Sequence, residues 1–339
     1  KSDGLKYVLR EFVDRPLPVS RPRELVLPTE SGKVIGLSGV RRCGKTFLFF
    51  DTIRQLVARG VDRRRIVYLN FEDDRLQPIE PAELDLVVRS LRELFPETAT
   101  GRLYLFLDEV QSAPGWERWV RRLCDTEDVS VFVTGSSSRL LTRDLSSALR
   151  GRSVTFEVFP LSFREFLAFR GLAPEAWDAR GESRARAAFA DYLRLGGFPE
   201  IVLADAALRP LILEEYAGLM LQRDLLERSG ARNDVLLRTL LRHFFRNTAT
   251  LLSVSKLARD FHSMGLTFGR NTLFDYVALL EDAGLVFLLP THDDSVLKQA
   301  RNPKKVHVVD TGLVAAFKAG ADRDLGHRLE TAVFLECRR

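Results

Sequence analysis

A glycine-rich octapeptide between an apolar run and a helix-like stretch constrains the fold of this chain more than any other feature. It reads Gly39-Val40-Arg41-Arg42-Cys43-Gly44-Lys45-Thr46, after the run Val34-Ile35-Gly36-Leu37 and before residues 47–59. The pattern G-x-x-x-x-G-K-[ST], placed between a strand and a helix, is typical of loops that bind the phosphates of a nucleotide. We therefore predict an α/β fold with a nucleotide at the carboxyl end of its first strand.

The residue types of this octapeptide suit phosphate binding. The two glycines let backbone N–H groups turn toward a phosphate, at the positive end of the following helix. Lys45 supplies a point charge for the β- and γ-phosphates, and the Thr46 hydroxyl is a ligand for Mg²⁺. Cys43 is interpreted as a tolerated small residue rather than an oxidation switch. The predicted nucleotide-binding residues are Gly39, Val40, Arg41, Arg42, Cys43, Gly44, Lys45, Thr46 and Phe47.

An acidic pair follows a second apolar run, Leu103-Tyr104-Leu105-Phe106-Leu107. Five apolar residues without alternation indicate a strand that is buried on both faces, as in a parallel sheet. At its end Asp108 is predicted to hold Mg²⁺ together with Thr46, and Glu109 is predicted to act as the general base for an attacking water. The alternative is an acidic turn after a core strand.

Hydroxyl groups end a third predicted strand, residues 129–133, in the segment Thr134-Gly135-Ser136. A hydroxyl at this position senses the γ-phosphate in many AAA-type ATPases, and Thr134 and Ser136 are the candidates; Ser136 is included among the catalytic residues. Ordinary turn chemistry is the alternative.

Two further catalytic candidates, Arg150 and Arg152, follow the next predicted helix. A guanidinium there is suited to stabilising charge on the γ-phosphate, in the same chain or in a neighbouring subunit of a homo-oligomer. A structural ion pair with Glu157 is the alternative. Asn70 and Glu72, at the end of the predicted second strand, are suited either to positioning water or Mg²⁺ or to a structural hydrogen bond.

The composition of the 339 residues is that of a globular protein with a mildly basic balance. Hydrophobic residues make up 45% and the net charge is +5, which permits nucleic-acid binding without requiring it. No apolar run approaches the ~18 residues of a membrane span. The three cysteines, at 43, 124 and 337, have no metal or disulfide spacing, so a reducing cytoplasm is the predicted location, without membrane contact.

The hydrophobic pattern predicts a doubly wound parallel sheet followed by a helical region. Strands are predicted near residues 34–38, 66–70, 103–108, 129–134 and 154–158, with helices near 45–59, 82–95, 116–124 and 139–149. Later helices are predicted at 161–169, 187–195, 210–228 and 234–247. The predicted domains are an arm and linker (1–30), an AAA-type ATPase core (31–160), a helical region (161–240), a winged helix-turn-helix (241–318) and the start of a further domain (319–339).

The winged helix-turn-helix prediction rests on two short helices, near 253–261 and 270–282, and two strands, near 285–289 and 306–309. In a DNA-binding interpretation the second helix reads bases and the basic loop contacts phosphates. The predicted contacts with double-stranded DNA are Arg270, Asn271, Thr272, Lys298, Arg301, Lys304 and Lys305. The alternative is a module for packing or protein contact, because Asp275 and Glu281 dilute the positive charge.

Several further motifs give the chain a family resemblance. They are Tyr68-Leu69-Asn70-Phe71-Glu72-Asp73, Leu107-Asp108-Glu109-Val110-Gln111, Thr134-Gly135-Ser136-Ser137, Leu149-Arg150-Gly151-Arg152, Pro160-Leu161-Ser162-Phe163-Arg164-Glu165-Phe166, Gly196-Gly197-Phe198-Pro199, Gln222-Arg223-Asp224 and Asp310-Thr311-Gly312-Leu313. With the octapeptide, they make the chain resemble prokaryotic AAA-type ATPases that pair an ATPase core with a carboxyl-terminal domain of unknown function. The resemblance implies ATP binding, Mg²⁺-dependent hydrolysis and a winged helix. It also implies a nuclease-like fold starting near residues 330–339, whose metal-binding motif this sequence lacks.

The preferred functional hypothesis is an ATPase in which nucleotide state moves the winged-helix region. One alternative is a slowly hydrolysing, nucleotide-gated DNA-binding switch, and another is a scaffold whose winged helix contacts only protein. A phosphotransferase is a remote option, because the acidic pair suits a water-activating base better than an acceptor pocket. The guanine-reading pattern Asn-Lys-x-Asp is absent from the sequence, which favours ATP as the nucleotide.

Overall fold

The computed structural model describes residues 2–135, 145, 149, 151–172, 179–227, 233–295, 298–299, 302–317 and 325–339. The chain divides into two compact units. The first comprises Lys1–Gly39 and Gly44–Val158, and the second comprises Val40–Cys43 and Phe159–Arg339. Four residues of the octapeptide thus group with the carboxyl-terminal part of the chain.

A five-stranded parallel sheet forms the centre of the first unit, with strands in the order β2-β3-β4-β1-β5. They are β1 (Val34–Ser38), β2 (Ile66–Asn70), β3 (Leu103–Asp108), β4 (Val129–Gly135) and β5 (Ser153–Glu157). Every residue of β1 and of β3 is buried, as their unbroken apolar runs require. The predicted α/β fold with a parallel sheet is confirmed. Because β4 lies between β1 and β3, its carboxyl end stands beside those of both neighbours.

Four α-helices accompany this sheet in the described part of the first unit. They are α1 (Ser2–Asp14), α2 (Lys45–Ala58), α3 (Leu86–Leu94) and α4 (Trp116–Thr126), with short 3₁₀ turns at Arg63–Arg65, Pro81–Glu83, Pro96–Ala99 and Val110–Ser112. Helix α1 packs against α3 and β2 and buries Leu5, Val8 and Leu9 in the core. The amphipathic face of this helix therefore belongs to the first unit, and the predicted boundary of an arm at residue 30 stays a prediction.

The second unit is mainly helical, as predicted. Its helices are α5 (Phe163–Phe169), α6 (Ala179–Leu195), α7 (Pro199–Leu203), α8 (Arg209–Leu219), α9 (Asp234–Arg246), α10 (Val254–Ser263), α11 (Arg270–Asp282), α12 (Leu313–Phe317) and α13 (Leu325–Arg338). Helix α8 continues directly into a π-helical segment, Met220–Leu226. Helix α5 begins at a capping box, because the Ser162 hydroxyl accepts the Glu165 N–H and the Glu165 carboxylate accepts the Ser162 N–H.

A three-stranded antiparallel sheet accompanies α9, α10 and α11. Its strands are β6 (Thr250–Leu252), β7 (Val286–Leu289) and β8 (Lys304–Val308), in the order β6-β8-β7. Helix α11 buries Leu273 and Leu280 completely, as the apolar pattern predicts. In the described part of the chain, no helix is long and apolar enough to span a membrane.

Asp310 ties two glycine-containing motifs of the second unit together. Its carboxylate accepts backbone N–H groups of Gly197 (2.6 Å), Gly312 (2.8 Å) and Leu313 (3.2 Å). A side chain at Gly312 would lie 2.0 Å from the carbonyl oxygen of Leu195, so glycine is required by this close approach. Burial raises the pKa of Asp310 to about 6 against these three donors. These motifs therefore serve packing within the second unit.

Candidate nucleotide-hydrolysis site

The glycine-rich loop joins β1 to α2 in the conformation that its glycines permit. Gly39 has φ 151° and Gly44 has φ 104°, values that a residue with a side chain rarely adopts. Helix α2 begins at Lys45 and has no acidic residue in its first turn, so its positive end remains available to an anion. Lys45 is buried, and its Nζ donates to the carbonyl oxygen of Gly39 at 2.8 Å.

Hydroxyl groups surround the carboxylate of Asp108 at the end of β3. Asp108 Oδ2 accepts from Thr46 Oγ1 at 2.7 Å and from Tyr68 Oη at 3.1 Å. Asp108 Oδ1 accepts from the Thr134 hydroxyl at the end of β4. The network therefore joins groups from α2, β2, β3 and β4 at the carboxyl edge of the sheet, where an α/β fold binds its ligand.

Glu109 follows Asp108 in a strained backbone conformation. Its φ is 52° and its ψ is 49°, in the left-handed region, where a non-glycine residue costs about 1–3 kcal/mol. The Glu109 N–H donates to Thr134 Oγ1 at 3.0 Å, and the Gln111 side-chain amide donates to the Glu109 carboxylate. The half-buried carboxylate is thus held at the sheet edge beside Asp108.

The charge state of Asp108 depends on opposing effects. Burial is the largest and raises the pKa of its carboxyl, and the nearby Glu109 charge raises it further. Hydrogen bonds from Thr134 and Thr46 and the positive charge of Lys45 lower it. Burial also raises the pKa of the Tyr68 hydroxyl, with a contribution from Asp108, so this hydroxyl remains a donor to the carboxylate at neutral pH.

The donor set at Asp108 fits Mg²⁺. The hydrogen-bond partners of this buried carboxylate in the described part of the chain are hydroxyls, and a nearby cation favours its charged form. Carboxylate and hydroxyl oxygens are ligands that Mg²⁺ prefers. The described residues contain no group of three or more His, Cys, Asp or Glu side chains able to hold a metal. A Mg²⁺ ion held by Thr46 and Asp108 would therefore need its other ligands from water and substrate phosphates, as this ion commonly does.

The arginines of the loop are paired with carboxylates of the second unit, to which Val40–Cys43 belong. Arg41 Nε lies 2.9 Å from Asp224 Oδ1, and Arg42 Nη1 lies 3.2 Å from Glu200 Oε2. Cys43 is fully buried, which favours its interpretation as a small packing residue. The side chain of Phe47 is 49% exposed.

Of the two predicted catalytic arginines, the structure describes Arg152. Arg152 lies at the amino end of β5, where its carbonyl oxygen accepts the Val34 N–H, and its side chain pairs with Asp125 rather than with Glu157. The loop follows the opposite end of β1, about 13 Å along the strand. Arg152 therefore lies toward the end of the sheet away from the loop, and its predicted catalytic role, in the same chain or in a neighbouring subunit, stays a prediction. Arg150 and Ser136 lie outside the described residues.

Asn70 and Glu72 form a structural turn. The Asn70 side-chain oxygen accepts the Glu72 N–H at 2.9 Å, and Glu72 is exposed. This geometry favours the structural alternative for both residues.

The residues predicted to contact DNA differ in their exposure and in their ion pairs. Asn271 and Lys298 are exposed, and Thr272 and Lys304 are half-buried. Lys305 forms an ion pair with Glu330. Arg270 begins α11, but its side chain lies outside the described part of the chain, as does all of Arg301.

Comparison with known proteins agrees with this geometry. Residues 31–167 match a family described as AAA domain, and residues 186–324 match a domain of unknown function, DUF8612. The uncharacterized protein MJ1544 of Methanocaldococcus jannaschii is 31% identical over 334 residues, covering 97% of this chain and 71% of that protein. The chain belongs to this family of AAA-type P-loop ATPases. An uncharacterized protein of Haemophilus influenzae is 30% identical to this ATPase, with 89% and 74% of the two chains covered.

Solved structures give weaker likenesses. The Aeropyrum pernix ORC1 protein in complex with DNA has a TM-score of 0.34 and 16% identity, over 97% of the ATPase and 93% of that chain. AMPPCP-bound DnaA from Aquifex aeolicus has a TM-score of 0.33 and 14% identity, over 99% and 87%. TM-scores this low leave both likenesses without weight for the function of the ATPase.

Sequence reasoning missed three residues of this site. Tyr68 lies in a predicted strand and in a family motif that give it no role at the site, although its hydroxyl reaches Asp108. Thr134 was considered only as a phosphate sensor, whereas its hydroxyl binds both residues of the acidic pair. Asp224 belongs to the motif Gln222-Arg223-Asp224, and a carboxylate inside a conspicuous motif was the signal that could have identified it.

Proposed function

We propose that this ATPase hydrolyses ATP to ADP and phosphate with Mg²⁺, at the site formed by the loop, the acidic pair and the end of β4. The observation that carries the proposal is the network in which Thr46 and Thr134 both donate to Asp108. The position of the loop, Asp108 and Glu109 at one edge of the sheet supports roles in phosphate binding, metal binding and water activation, which phosphoryl transfer to water requires.

Each group of the site has one role in the proposed reaction. Lys45 neutralises charge on the β- and γ-phosphates, and Thr46 and Asp108 hold Mg²⁺, which stabilises charge on the phosphate oxygens when bound. Glu109 accepts a proton from the attacking water, whose oxygen bonds to the γ-phosphorus while the bond from that phosphorus to the β–γ bridging oxygen breaks. ADP leaves with the bridging oxygen, and the Glu109 proton passes to solvent. Arg150 or Arg152, in the same chain or in a neighbouring subunit, is a candidate for stabilising the transition state.

The test is Mg²⁺-dependent hydrolysis by the wild type, Glu109→Gln and Lys45→Ala, with ATP binding measured separately. Glu109→Gln should bind ATP within a few-fold of wild type and lose about 10²–10⁴-fold in turnover, because a general base contributes that much. Lys45→Ala should lose ATP binding. The control is Glu72→Gln, an exposed carboxylate at the end of the neighbouring β2, which should retain wild-type turnover. Equal turnover by Glu109→Gln and the wild type contradicts the assigned base.

The region of α9, α10, α11 and the sheet β6-β8-β7 is proposed to be a winged helix that responds to nucleotide state. The element order helix, strand, helix, helix, strand, strand supports this proposal. Its partner is proposed to be double-stranded DNA in the first instance, through Asn271, Lys298 and the basic loop. DNA that accelerates turnover at low salt and loses that effect at physiological salt supports this partner, because phosphate contacts are salt-dependent.

A protein partner is the second candidate, in a slowly hydrolysing switch. The exposed face of α11 carries Phe274, which is 46% exposed, and Asp275. Lys305 is already paired with Glu330. An exposed aromatic beside a carboxylate suits a protein surface better than a phosphate backbone. Turnover that is independent of DNA, together with no DNA binding at low salt, favours this candidate.

A further inference from the structure

A buried carboxylate of the second unit binds an arginine of the phosphate loop. Arg41 and Asp224 are 183 residues apart in sequence, yet Arg41 Nε donates to Asp224 Oδ1 at 2.9 Å. The Asp224 side chain is 5% exposed and that of Arg41 is 24% exposed. A carboxylate so far removed from water requires a charged partner, and removing one member of such a pair leaves an uncompensated charge.

The backbone around Asp224 is specialised. Asp224 lies in the seven-residue π-helical segment Met220–Leu226, where Leu221 and Leu225 are also buried. A π-helix departs from the favoured hydrogen-bond pattern and is found frequently at functional sites. The segment continues α8 without interruption, so the position of Asp224 is coupled to that helix.

A second contact supports the same part of the loop. Arg42 Nη1 lies 3.2 Å from Glu200 Oε2, and the Arg42 guanidinium lies 5.3 Å from the centre of the Tyr216 ring on α8. The Tyr216 hydroxyl donates to Glu200. Arg42 has φ 67°, so these contacts hold a strained residue. Both side chains of this pair are about half exposed, and this contact is therefore the weaker of the two.

We propose that Asp224 is a positioning residue of the nucleotide site: it holds Arg41, and with it the Val40–Cys43 part of the phosphate loop, so that the segment 209–226 sets nucleotide affinity. The inference rests on the proposed function, because it concerns binding at the same loop. Asp224 accepts the Arg41 Nε–H and so fixes the position of the guanidinium beside the loop. Arg41 in turn neutralises a carboxylate that would otherwise repel phosphate.

The test is a double-mutant cycle on the full chain with Arg41→Ala, Asp224→Ala and the double variant, measuring the Kd of a fluorescent ATP analogue with Mg²⁺. Arg41→Ala should weaken binding by about tenfold or more, because the buried Asp224 carboxylate loses the guanidinium that lies 2.9 Å from it and stays beside the loop. Asp224→Ala should weaken it by about threefold through lost positioning, and the double variant should match Asp224→Ala, a non-additive result.

Steady-state kinetics separate positioning from a merely structural role. The variants should change KM for ATP and leave kcat within about twofold, because Asp108 and Glu109 remain intact. The matched control is Arg170–Asp191, an ion pair of the same second unit at 2.8 Å, whose alanine variants should leave Kd unchanged. If Arg41→Ala does not fold, the pair Arg41→Gln and Asp224→Asn replaces it in the cycle.

Two results overturn the inference. A double variant as weak as Arg41→Ala means that Arg41 contacts the phosphates itself, and an unchanged Kd in every variant means that the pair does not position the loop. Failure of the proposed function would give a different result. Lys45→Ala would then bind ATP as tightly as the wild type, whatever the double-mutant cycle shows.

Discussion

Asp108 in the first unit and Asp310 in the second are both buried carboxylates, at 2% and 3% exposure, and they differ in the groups that bind them. Among the described residues, the Asp108 carboxylate accepts hydrogen bonds from the side-chain hydroxyls of Thr46, Tyr68 and Thr134 alone. Asp310 accepts backbone N–H groups of Gly197, Gly312 and Leu313. Burial raises the pKa of both.

The different hydrogen-bond donors around the two carboxylates indicate that the carboxylates have different roles. Hydroxyls rotate, so the donors around Asp108 can turn away when a cation approaches, and the hydroxyl of Thr46 can become a ligand itself. Backbone N–H groups are fixed by the fold. If a carboxylate that accepts three of them moves away, all three lose their hydrogen-bond acceptor. We infer that Asp108 is available for chemistry and that Asp310 serves structure alone.

The largest expected effect comes from replacing Asp108 with asparagine. Turnover should fall by about 10²–10³-fold, because the metal-holding charge is lost while the shape is kept. The free energy of unfolding should change by less than about 1 kcal/mol, because a buried charge is replaced by a neutral group. Turnover and denaturant unfolding are measured on the same preparation.

Asp128→Asn is the control for this variant, because the Asp128 side chain is 56% exposed and pairs with Arg102. It should leave turnover unchanged. A large loss of stability in Asp108→Asn, with normal turnover of the remaining folded protein, would mean that Asp108 serves stability rather than hydrolysis.

Replacing Asp310 with alanine should lower stability and leave turnover unchanged, which is the reverse of the effect expected for Asp108→Asn. Three buried N–H groups lose their acceptor, which should lower the free energy of unfolding by about 3 kcal/mol. The folded fraction should hydrolyse ATP at the wild-type rate. The exposed Asp205→Ala in the same unit should stay within about 0.5 kcal/mol of wild type. Lost turnover at full stability would show that Asp310 contributes to function.

The smallest expected effect is on the pH dependence of the free energy of unfolding. It compares the two buried carboxylates with a buried histidine, His307. Burial lowers the pKa of His307 to about 4 from its ordinary value of 6.5. Between these values the unfolded chain binds more protons, so this residue's stabilisation is present above 6.5 and is lost as pH falls toward 4. Asp310, with its raised pKa, acts in the opposite direction and is stabilising at low pH.

His307→Gln isolates the histidine contribution. The stability of wild type relative to this variant should decrease by about 2 kcal/mol between pH 7 and pH 5. Denaturant unfolding of both proteins at the two pH values provides the difference, in which the contribution of Asp310 cancels. A pH-independent difference would mean that His307 is not held neutral by its surroundings.

The sequence predicted the first unit better than the second for physical reasons. The strands β1 to β3 are nearly continuous apolar runs, and the loop, Asp108 and Glu109 lie at their carboxyl ends. Strand β6 was missed, because it has three residues and only Leu252 is buried. Helix α6 begins at Ala179 rather than near 187, because residues 182–187 are exposed and therefore lack the apolar period on which the prediction relied.

Contacts between distant residues were the part that the sequence could not provide. No local pattern links Arg41 to Asp224 or Gly197 to Asp310, because each pair is brought together by the packing of several elements. The hydroxyl donors of Asp108 likewise come from three different elements. The chemistry of the site was therefore predictable from its motifs, whereas the groups that orient it were not.

Backbone strain has a consequence for how this ATPase can change over generations. Among the described residues, three non-glycine residues have positive φ, and two of them are Arg42 and Glu109. Glycine would relieve the strain at both positions, but it would also delete a guanidinium on the loop and the carboxylate assigned to activate water. Selection for heat tolerance and selection for turnover would therefore favour different residues at these two positions.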